Sequence, residues 1–312
     1  MMLERIIGRY TGQEKGPLLI CLGGMHGNEP AGVEAIEIML KLLEVEPLTN
    51  THFRFKGRLV GIRGNLQALE AGSRYIEGDL NRKLTPENVA RVFAANVNDL
   101  TAEDLEIFEL LSAVNKEVED YKPERLIFLD IHTTTAFGGI FSIATDEPES
   151  IHLAVELHAP VITGMLKGIR GTTLHWFNDK NFKPKTTTVV FEAGQHTETL
   201  SVNRAIAAIT NLLRTIGCVR AQDVENRHDK LLIEYSKGLP KVANLISTHR
   251  INPGDDFQME PEFKNFQEVK QGELLAMDKQ GAIHAPEDGL ILMPLYQKQG
   301  EDGFFLIRPV QY

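Results

Sequence analysis

Short apolar runs alternate with segments of helical periodicity over the first two-thirds of the chain. Four of the runs have the length and composition of buried strands: 18–25, 57–63, 126–132 and 186–192. Thr101 and Ser201 are the predicted caps of two of the helices. This alternation is typical of an α/β domain with parallel strands, since each helix returns the chain to the next strand. We therefore predict an α/β fold with a mixed, mainly parallel sheet flanked by helices.

The pattern changes after about residue 222. Helical periodicity fades there, and short strand-like runs lie between turn sequences such as KGLP, NPGDD and GEDG. We therefore predict two domains, an α/β domain over residues 1–222 and a smaller β-rich C-terminal domain over residues 223–312.

Composition narrows the classes of partner. The 33 basic and 43 acidic side chains of the 312 residues give a formal charge of −10, which argues against a nucleic acid or an anionic membrane as partner. The two cysteines, Cys21 and Cys218, are too few for a disulfide framework. No apolar run approaches a length of about 20 residues, which is what a helix needs to span a bilayer. We expect a cytoplasmic protein, and a homo-oligomer is compatible with the sequence.

The motif GGMHGNEP ends the first strand-like run and opens the helical segment after it. Its His26 and Glu29 are three residues apart across a turn, so an imidazole nitrogen and a carboxylate can reach one ion. The alternative is a solvated loop histidine beside a first-turn glutamate, because the helix dipole favours an acid there in any case.

The motif LDIHTTT lies at the end of the strongest strand, where open α/β sheets place their ligands. His132 can supply a third ligand, and two histidines with one glutamate form a catalytic zinc set that leaves a position for water. Asp130 lies two residues earlier on the same face of the strand, which suits a carboxylate that orients a zinc-bound histidine. A buried polar pair at a strand end is the alternative.

Two further polar elements complete the candidate site. Glu192 interrupts the apolar run VVFEAGQH, and burying a carboxylate is costly unless it is paired or functional. Beside a zinc-bound water it would act as general base and then as general acid. The loop RYIEGDLNR carries Arg74, Asn81 and Arg82, a set that can bind a carboxylate and stabilise an oxyanion. The alternatives are a strand-end glutamate that reaches solvent and a surface charge run.

Taken in order, GGMHGNEPAG, GDLNR, LDIHTTT and FEAG resemble the motifs of the succinylglutamate desuccinylase and aspartoacylase family, which is related to the zinc carboxypeptidases. The resemblance covers about residues 18–200, and the β-rich C-terminal segment fits the two-domain layout of the family. It implies one zinc ion per chain, held by His26, Glu29 and His132, and it implies that Glu192 is the catalytic acid/base.

The same resemblance implies roles for the residues that face the substrate. Arg74 is similar to the arginine that stabilises the oxyanion, and Asn81 and Arg82 resemble the pair that binds the α-carboxylate of the substrate. Tyr296 falls roughly where the C-terminal domain of some relatives lends a tyrosine to the pocket. The C-terminal domain is accordingly expected to cap or shape the active site.

The activity implied is that of a zinc-dependent deacylase for a small, carboxylate-bearing N-acyl amino acid such as N-succinylglutamate or N-acetylaspartate. A carboxypeptidase-like zinc peptidase is the alternative enzyme, and an inactive binding protein of the same fold is the alternative without catalysis. Relatives carry an arginine before the catalytic glutamate that reads a second substrate carboxylate, whereas Phe182 occupies that neighbourhood here. The nearest cations are Lys180, Lys183, Lys185 and Arg170, and they leave the acyl group and the amino acid open.

Overall fold

The computed structural model of the protein describes residues 3–223 and 227–311. The strands are β1 (Ile6–Thr11), β2 (Glu14–Gly23), β3 (Lys56–Arg63), β4 (Arg125–Thr134), β5 (Phe141–Ala144), β6 (Val161–Thr163), β7 (Lys185–Gln195), β8 (Val242–Arg250), β9 (Gln258–Met259), β10 (Glu268–Val269), β11 (Leu274–Asp278), β12 (Gly281–His284), β13 (Gly289–Leu292) and β14 (Asp302–Pro309). The α-helices are α1 (Ala31–Thr49), α2 (Leu66–Ala71), α3 (Pro86–Ala94), α4 (Ala102–Tyr121), α5 (Pro148–Val155), α6 (Met165–Gly168), α7 (Thr173–Trp176), α8 (Leu200–Thr215) and α9 (Arg227–Tyr235).

Eleven of these strands form one mixed sheet in the order β1-β3-β2-β4-β7-β5-β6-β8-β14-β13-β10. The central neighbours β3, β2, β4 and β7 run parallel to one another. Three short strands, β12, β11 and β9, form a separate antiparallel sheet. The predicted α/β fold with a mixed sheet is confirmed.

The central strands are buried along most of their length because helices cover both faces of the sheet. Successive residues of β2 point to opposite sides: Leu19 packs in the apolar cluster that includes Ala35 of α1, whereas Leu18 packs in the cluster that includes Ile107 of α4. The strands are thereby fixed between two layers of helices, and their carboxyl ends meet at one edge of the sheet.

The two predicted helix caps have different outcomes. Thr101 forms a capping box at the start of α4, since its hydroxyl accepts from the N–H of Asp104 and its own N–H donates to the Asp104 carboxylate. The prediction for Ser201 was wrong: α8 begins one residue earlier, at Leu200, and the Ser201 hydroxyl donates to the carbonyl of Gln195 instead. Within the described ranges, no helix is long and apolar enough to cross a membrane.

The C-terminal strands share a core with the strands that precede them. From β8 onward, β8, β14, β13 and β10 extend the main sheet beyond β6. Phe305 and Ile307 of β14 pack in the same apolar cluster as Ile143 of β5 and Ile162 of β6. The division into two domains at residue 222 stays a prediction.

Candidate active site

The turn between β2 and α1 holds two of the candidate ligands. His26 and Glu29 are both buried there, and Nδ1 of His26 lies 2.8 Å from Oε1 of Glu29. Gly27 lets this turn press against α2, because a Cβ at that position would lie only 2.0 Å from the backbone carbonyl of Ala68. A larger residue would push the turn away from α2, so the glycine helps to place both candidate ligands.

β4 brings the third candidate ligand to the same point. Nδ1 of His132 lies 3.1 Å from Oε2 of Glu29, and the backbone N–H of Thr133 donates to that oxygen at 2.9 Å. The possible ligand atoms of His26, Glu29 and His132 all lie within 4.8 Å of one another. The three side chains are therefore close enough to hold one metal ion.

The other nitrogen of each imidazole contacts a carboxylate. Nε2 of His26 is 3.1 Å from Asp79, and Nε2 of His132 is 2.9 Å from Asp130. The hydroxyl of Thr173 donates to the Asp130 carboxylate at 2.6 Å and holds it in place. Zinc-binding histidines are oriented in this way, with the outer nitrogen held by a carboxylate. The donor set, two ring nitrogens and one carboxylate in a buried place, fits zinc.

Opposite charges hold the cluster together. Burial by itself raises the pKa of Glu29, but His26 and His132 outweigh this effect and hold the pKa well below its usual range. Burial by itself lowers the pKa of His132, but the carboxylates of Asp130 and Glu29 outweigh it and hold the pKa well above its usual range. These shifts depend on charges packed together away from water, an arrangement that is common at functional sites.

β7 places Glu192 beside this cluster. The strands β4 and β7 pair with His132 opposite Glu192. The side chain is buried, and its Oε2 has no hydrogen-bond partner among the described residues. Burial raises the pKa of Glu192 to about 8. A carboxyl group without a partner in such a place is available to exchange a proton with a bound molecule.

Glu192 is expected to make the stability of the metal-free protein depend on pH. The folded chain keeps the Glu192 proton up to about pH 8, whereas the unfolded chain releases it near the ordinary value of 4.5, so stability falls as pH rises through this interval. Glu192→Gln removes this dependence. We expect the chelator-treated variant to melt above the chelator-treated parent protein at pH 8, by a margin that shrinks at pH 5.

The control for this experiment is Glu268→Gln, at an exposed position on β10. Its melting temperature should follow that of the parent protein at both pH values. A Glu192→Gln margin that is the same at pH 5 and pH 8 would contradict the raised pKa.

The loop between α2 and α3 brings two arginines to the site, each with a carboxylate partner. Nη2 of Arg74 donates to Asp79 at 2.8 Å, and Nη2 of Arg82 donates to Asp302 at 2.7 Å. The buried Nε of Arg82 has no hydrogen-bond partner in the described part of the chain. Asn81, between them, is buried, and its Oδ1 accepts from the N–H of Thr173 at 3.0 Å.

One cavity joins these groups. Seven of the predicted site residues line it: His26, Glu29, Arg74, Asn81, Arg82, His132 and Glu192. Asp130 does not line the cavity but lies behind His132. A concave site that combines apolar side chains with a few charged groups suits a small molecule.

Tyr296 is not brought to this cavity. Its hydroxyl accepts from the N–H of Phe263 at 2.8 Å and donates to the carbonyl of Glu260 at 2.9 Å, and the residue lines an adjoining groove. Its neighbours Leu295 and Gln297 line both this groove and the cavity. The tyrosine is turned away because two backbone groups of the C-terminal segment satisfy its hydroxyl.

The cations near Phe182 also lie elsewhere. Lys180, Lys183, Lys185 and Arg170 are exposed, and none of the four lines the cavity. Phe182 itself packs in the apolar cluster beneath α4, away from the cavity. The segment that was expected to bind a second substrate carboxylate therefore faces solvent and the core.

Sequence reasoning missed three residues of this site. Asp79, the partner of His26 and Arg74, lies inside the GDLNR motif and could have been found there. His196 lines the cavity, and its Nδ1 is 2.7 Å from the Thr133 hydroxyl; it stands four residues after Glu192, which was a usable signal. Asp302 had no signal in the local sequence, because 220 positions separate it from its partner, an arginine of the GDLNR motif.

The fold and the site together define an α/β protein with a buried two-histidine, one-glutamate cluster at the carboxyl edge of a mixed sheet. A model of the succinylglutamate desuccinylase/aspartoacylase catalytic domain matches residues 15–216. The chain belongs to this family.

Individual relatives are similar to different extents. A probable aspartoacylase from Nostoc sp. is 34% identical over 121 residues, which are 38% of this chain and only 36% of that protein. A succinylglutamate desuccinylase from Pseudomonas putida is 24% identical over 270 residues, or 83% of this chain and 72% of that protein.

Solved structures share the fold at lower identity. The X-ray structure of succinylglutamate desuccinylase from Vibrio parahaemolyticus has a TM-score of 0.63 and 20% identity, and covers 96% of this chain and 83% of that one. The product-bound structure of the ectoine utilization protein EutE (DoeB) from Ruegeria pomeroyi has a TM-score of 0.64 and 18% identity, and covers 96% of this chain and 87% of that one.

Proposed function

We propose that the protein is a zinc-dependent amidohydrolase that removes the acyl group from a small N-acyl amino acid. The observation that carries this proposal is that His26, Glu29, His132 and Glu192 meet in one cavity of a chain whose family is named for two deacylases. The first three residues would hold the metal. Zinc bound there would act as a Lewis acid and lower the pKa of a water molecule from about 15.7 to about 7.

The protein's own residues would then carry the proton and the charge. In the zinc-bound protein, where the added positive charge would favour the ionised carboxylate, Glu192 would accept a proton from the attacking water and pass it to the leaving amine. The Arg74 guanidinium, 3.6 Å from the Glu29 carboxylate, would donate to the carbonyl oxygen as it becomes negative. Asn81 and Arg82 would bind the substrate's α-carboxylate, and the unpartnered Nε of Arg82 is a free donor for it.

The C-terminal segment favours a small substrate over a peptide. Leu295, Gln297 and Asp302 all come from this segment and line the cavity next to the candidate ligands. An extended peptide would need an open cleft where these residues lie. We therefore propose a deacylase rather than a carboxypeptidase-like peptidase.

A hydrolysis screen tests this function. The purified protein, loaded with zinc, is incubated with N-acetyl and N-succinyl amino acids and with a matched set of blocked dipeptides, and the released amine is measured. Release from N-acyl amino acids alone supports the proposal. Release from dipeptides alone would assign the peptidase activity instead, and no release from either set by zinc-loaded protein would reject hydrolysis.

Asp130→Asn should weaken zinc binding about 10- to 100-fold, because the amide holds the outer nitrogen of His132 less firmly than the carboxylate does. Competition with a chromogenic chelator measures the dissociation constant. Asp120→Asn, an exposed position near the end of α4, is the control and should leave the constant unchanged. An unchanged constant in Asp130→Asn would mean that Asp130 does not orient the ligand.

A further inference from the structure

We infer that the preferred substrate of the proposed hydrolysis has a single carboxylate and an apolar acyl group or side chain, and is not a dicarboxylate. This inference rests on the proposed function and specifies its substrate class. It follows from the walls of the cavity, which combine the charged groups around the candidate ligands with a set of apolar side chains.

One wall of the cavity is apolar. Six of its side chains belong to one continuous apolar cluster and are less than a tenth exposed: Ile143, Met165, Ile169, Leu174, Val190 and Phe305. They come from β5, α6, α7, β7, β14 and the loop after α6, so the wall is built by several elements. A wall of this kind stabilises a bound apolar group by removing it from water.

This wall begins next to the reacting centre. Val190 lies two residues before Glu192 on β7, so both side chains point to the same face of the sheet. In the antiparallel pairing of β5 with β7, Ile143 stands opposite Val190. A substrate whose amide bond lies at Glu192 therefore places one of its arms against Ile143 and Val190.

The cations that line the cavity already have carboxylate partners. Among the described lining residues, the arginines are Arg74 and Arg82, which pair with Asp79 and Asp302. Glu301 adds another carboxylate to the lining. The free Nε of Arg82 can accommodate one substrate carboxylate, but none of the described lining residues is an arginine or lysine left unpaired for a second one. Desolvating that second carboxylate against the apolar wall is costly.

Two substrate series, assayed with the zinc-loaded protein, test the inference and locate the apolar arm. One series lengthens the acyl group (N-acetyl-, N-butanoyl- and N-hexanoylglycine), and the other enlarges the amino acid (N-acetyl derivatives of glycine, alanine, leucine and methionine). N-Acetylaspartate and N-succinylglutamate are the dicarboxylate references. We expect kcat/KM to rise about fourfold per added methylene in one series and to exceed that of both references at least 100-fold.

A variant moves this preference in a predicted direction. Ile169→Lys puts a cation into the apolar wall and should lower kcat/KM for the best apolar substrate more than 10-fold while raising it for N-acetylaspartate. Leu166→Lys is the matched control: Leu166 packs against the same apolar cluster but does not line the cavity, so the ratio of the two substrates should stay unchanged. Ile169→Thr, which adds no charge, should lower the preference severalfold and serves if the lysine variant does not fold.

The outcomes separate the two proposals. Hydrolysis of N-acetylaspartate or N-succinylglutamate at a kcat/KM equal to or above that of every apolar substrate would overturn the apolar preference and leave the amidohydrolase function standing. An unchanged substrate ratio in a folded Ile169→Lys or Ile169→Thr protein would also overturn it. Zinc-loaded protein that hydrolyses neither class would overturn the proposed function itself.

Discussion

His132→Ala is expected to abolish zinc binding and hydrolysis together. The imidazole supplies one of only three proposed metal ligands, and its loss leaves the buried Glu29 carboxylate with one histidine fewer to balance it. Zinc content after gentle purification should fall from close to one equivalent per chain to near zero. The loss of a residue that only orients a metal ligand costs up to about 100-fold in activity, and the loss of His132 itself should cost more than that.

The control for this variant is His152→Ala, an exposed histidine on α5 outside the cavity. It should retain both zinc and activity. Metal content is measured by atomic emission, and folding is checked by circular dichroism. Folded His132→Ala protein that keeps a full equivalent of zinc would remove His132 from the ligand set.

Glu192→Gln is expected to retain zinc and substrate binding while kcat falls about 10²- to 10⁴-fold. Glutamine has the same shape and keeps a polar oxygen in the cavity, but it cannot take a proton from water or return one to the leaving amine. The loss should therefore appear in kcat, whereas KM changes little. Steady-state kinetics on the best substrate of the screen, together with a zinc determination, measure both quantities.

Glu192→Asp gives the matched comparison, because it keeps the acid and withdraws it by one methylene. Its kcat should lie between those of the parent protein and Glu192→Gln. If Glu192→Gln turns over substrate at the parent rate, another group must carry the proton; among the described residues that line the cavity, His196 is then the nearest candidate in sequence.

Local pattern was sufficient to predict the four central strands β2, β3, β4 and β7 and to single out the candidate ligands. The apolar run that became β4 has its polar residues at the carboxyl end, so Asp130 and His132 could be assigned to one strand face before any tertiary information. His26 and Glu29 could be paired for the same reason, since three residues across a turn fix their separation. Periodicity and short spacing are properties of residues close together in the sequence, so they can be used without knowledge of the tertiary contacts.

Long-range packing decided the rest. The partner of Arg82, Asp302, lies 220 residues along the chain, and the direction of Tyr296 depends on backbone groups of Phe263 and Glu260. Neither the Arg82–Asp302 pair nor the direction of Tyr296 can be predicted from the local sequence, because both depend on where the C-terminal strands join the main sheet.

The motifs alone were therefore enough to predict which side chains could meet at a metal ion and which strands carry them. The tertiary structure alone decided what surrounds the candidate ligands, above all the apolar wall from Ile143 to Phe305 and the pairing of both cavity arginines. The reason is physical: each ligand motif is encoded in residue type and short spacing, whereas the shape and polarity of a cavity arise from segments brought together only when the sheet is complete.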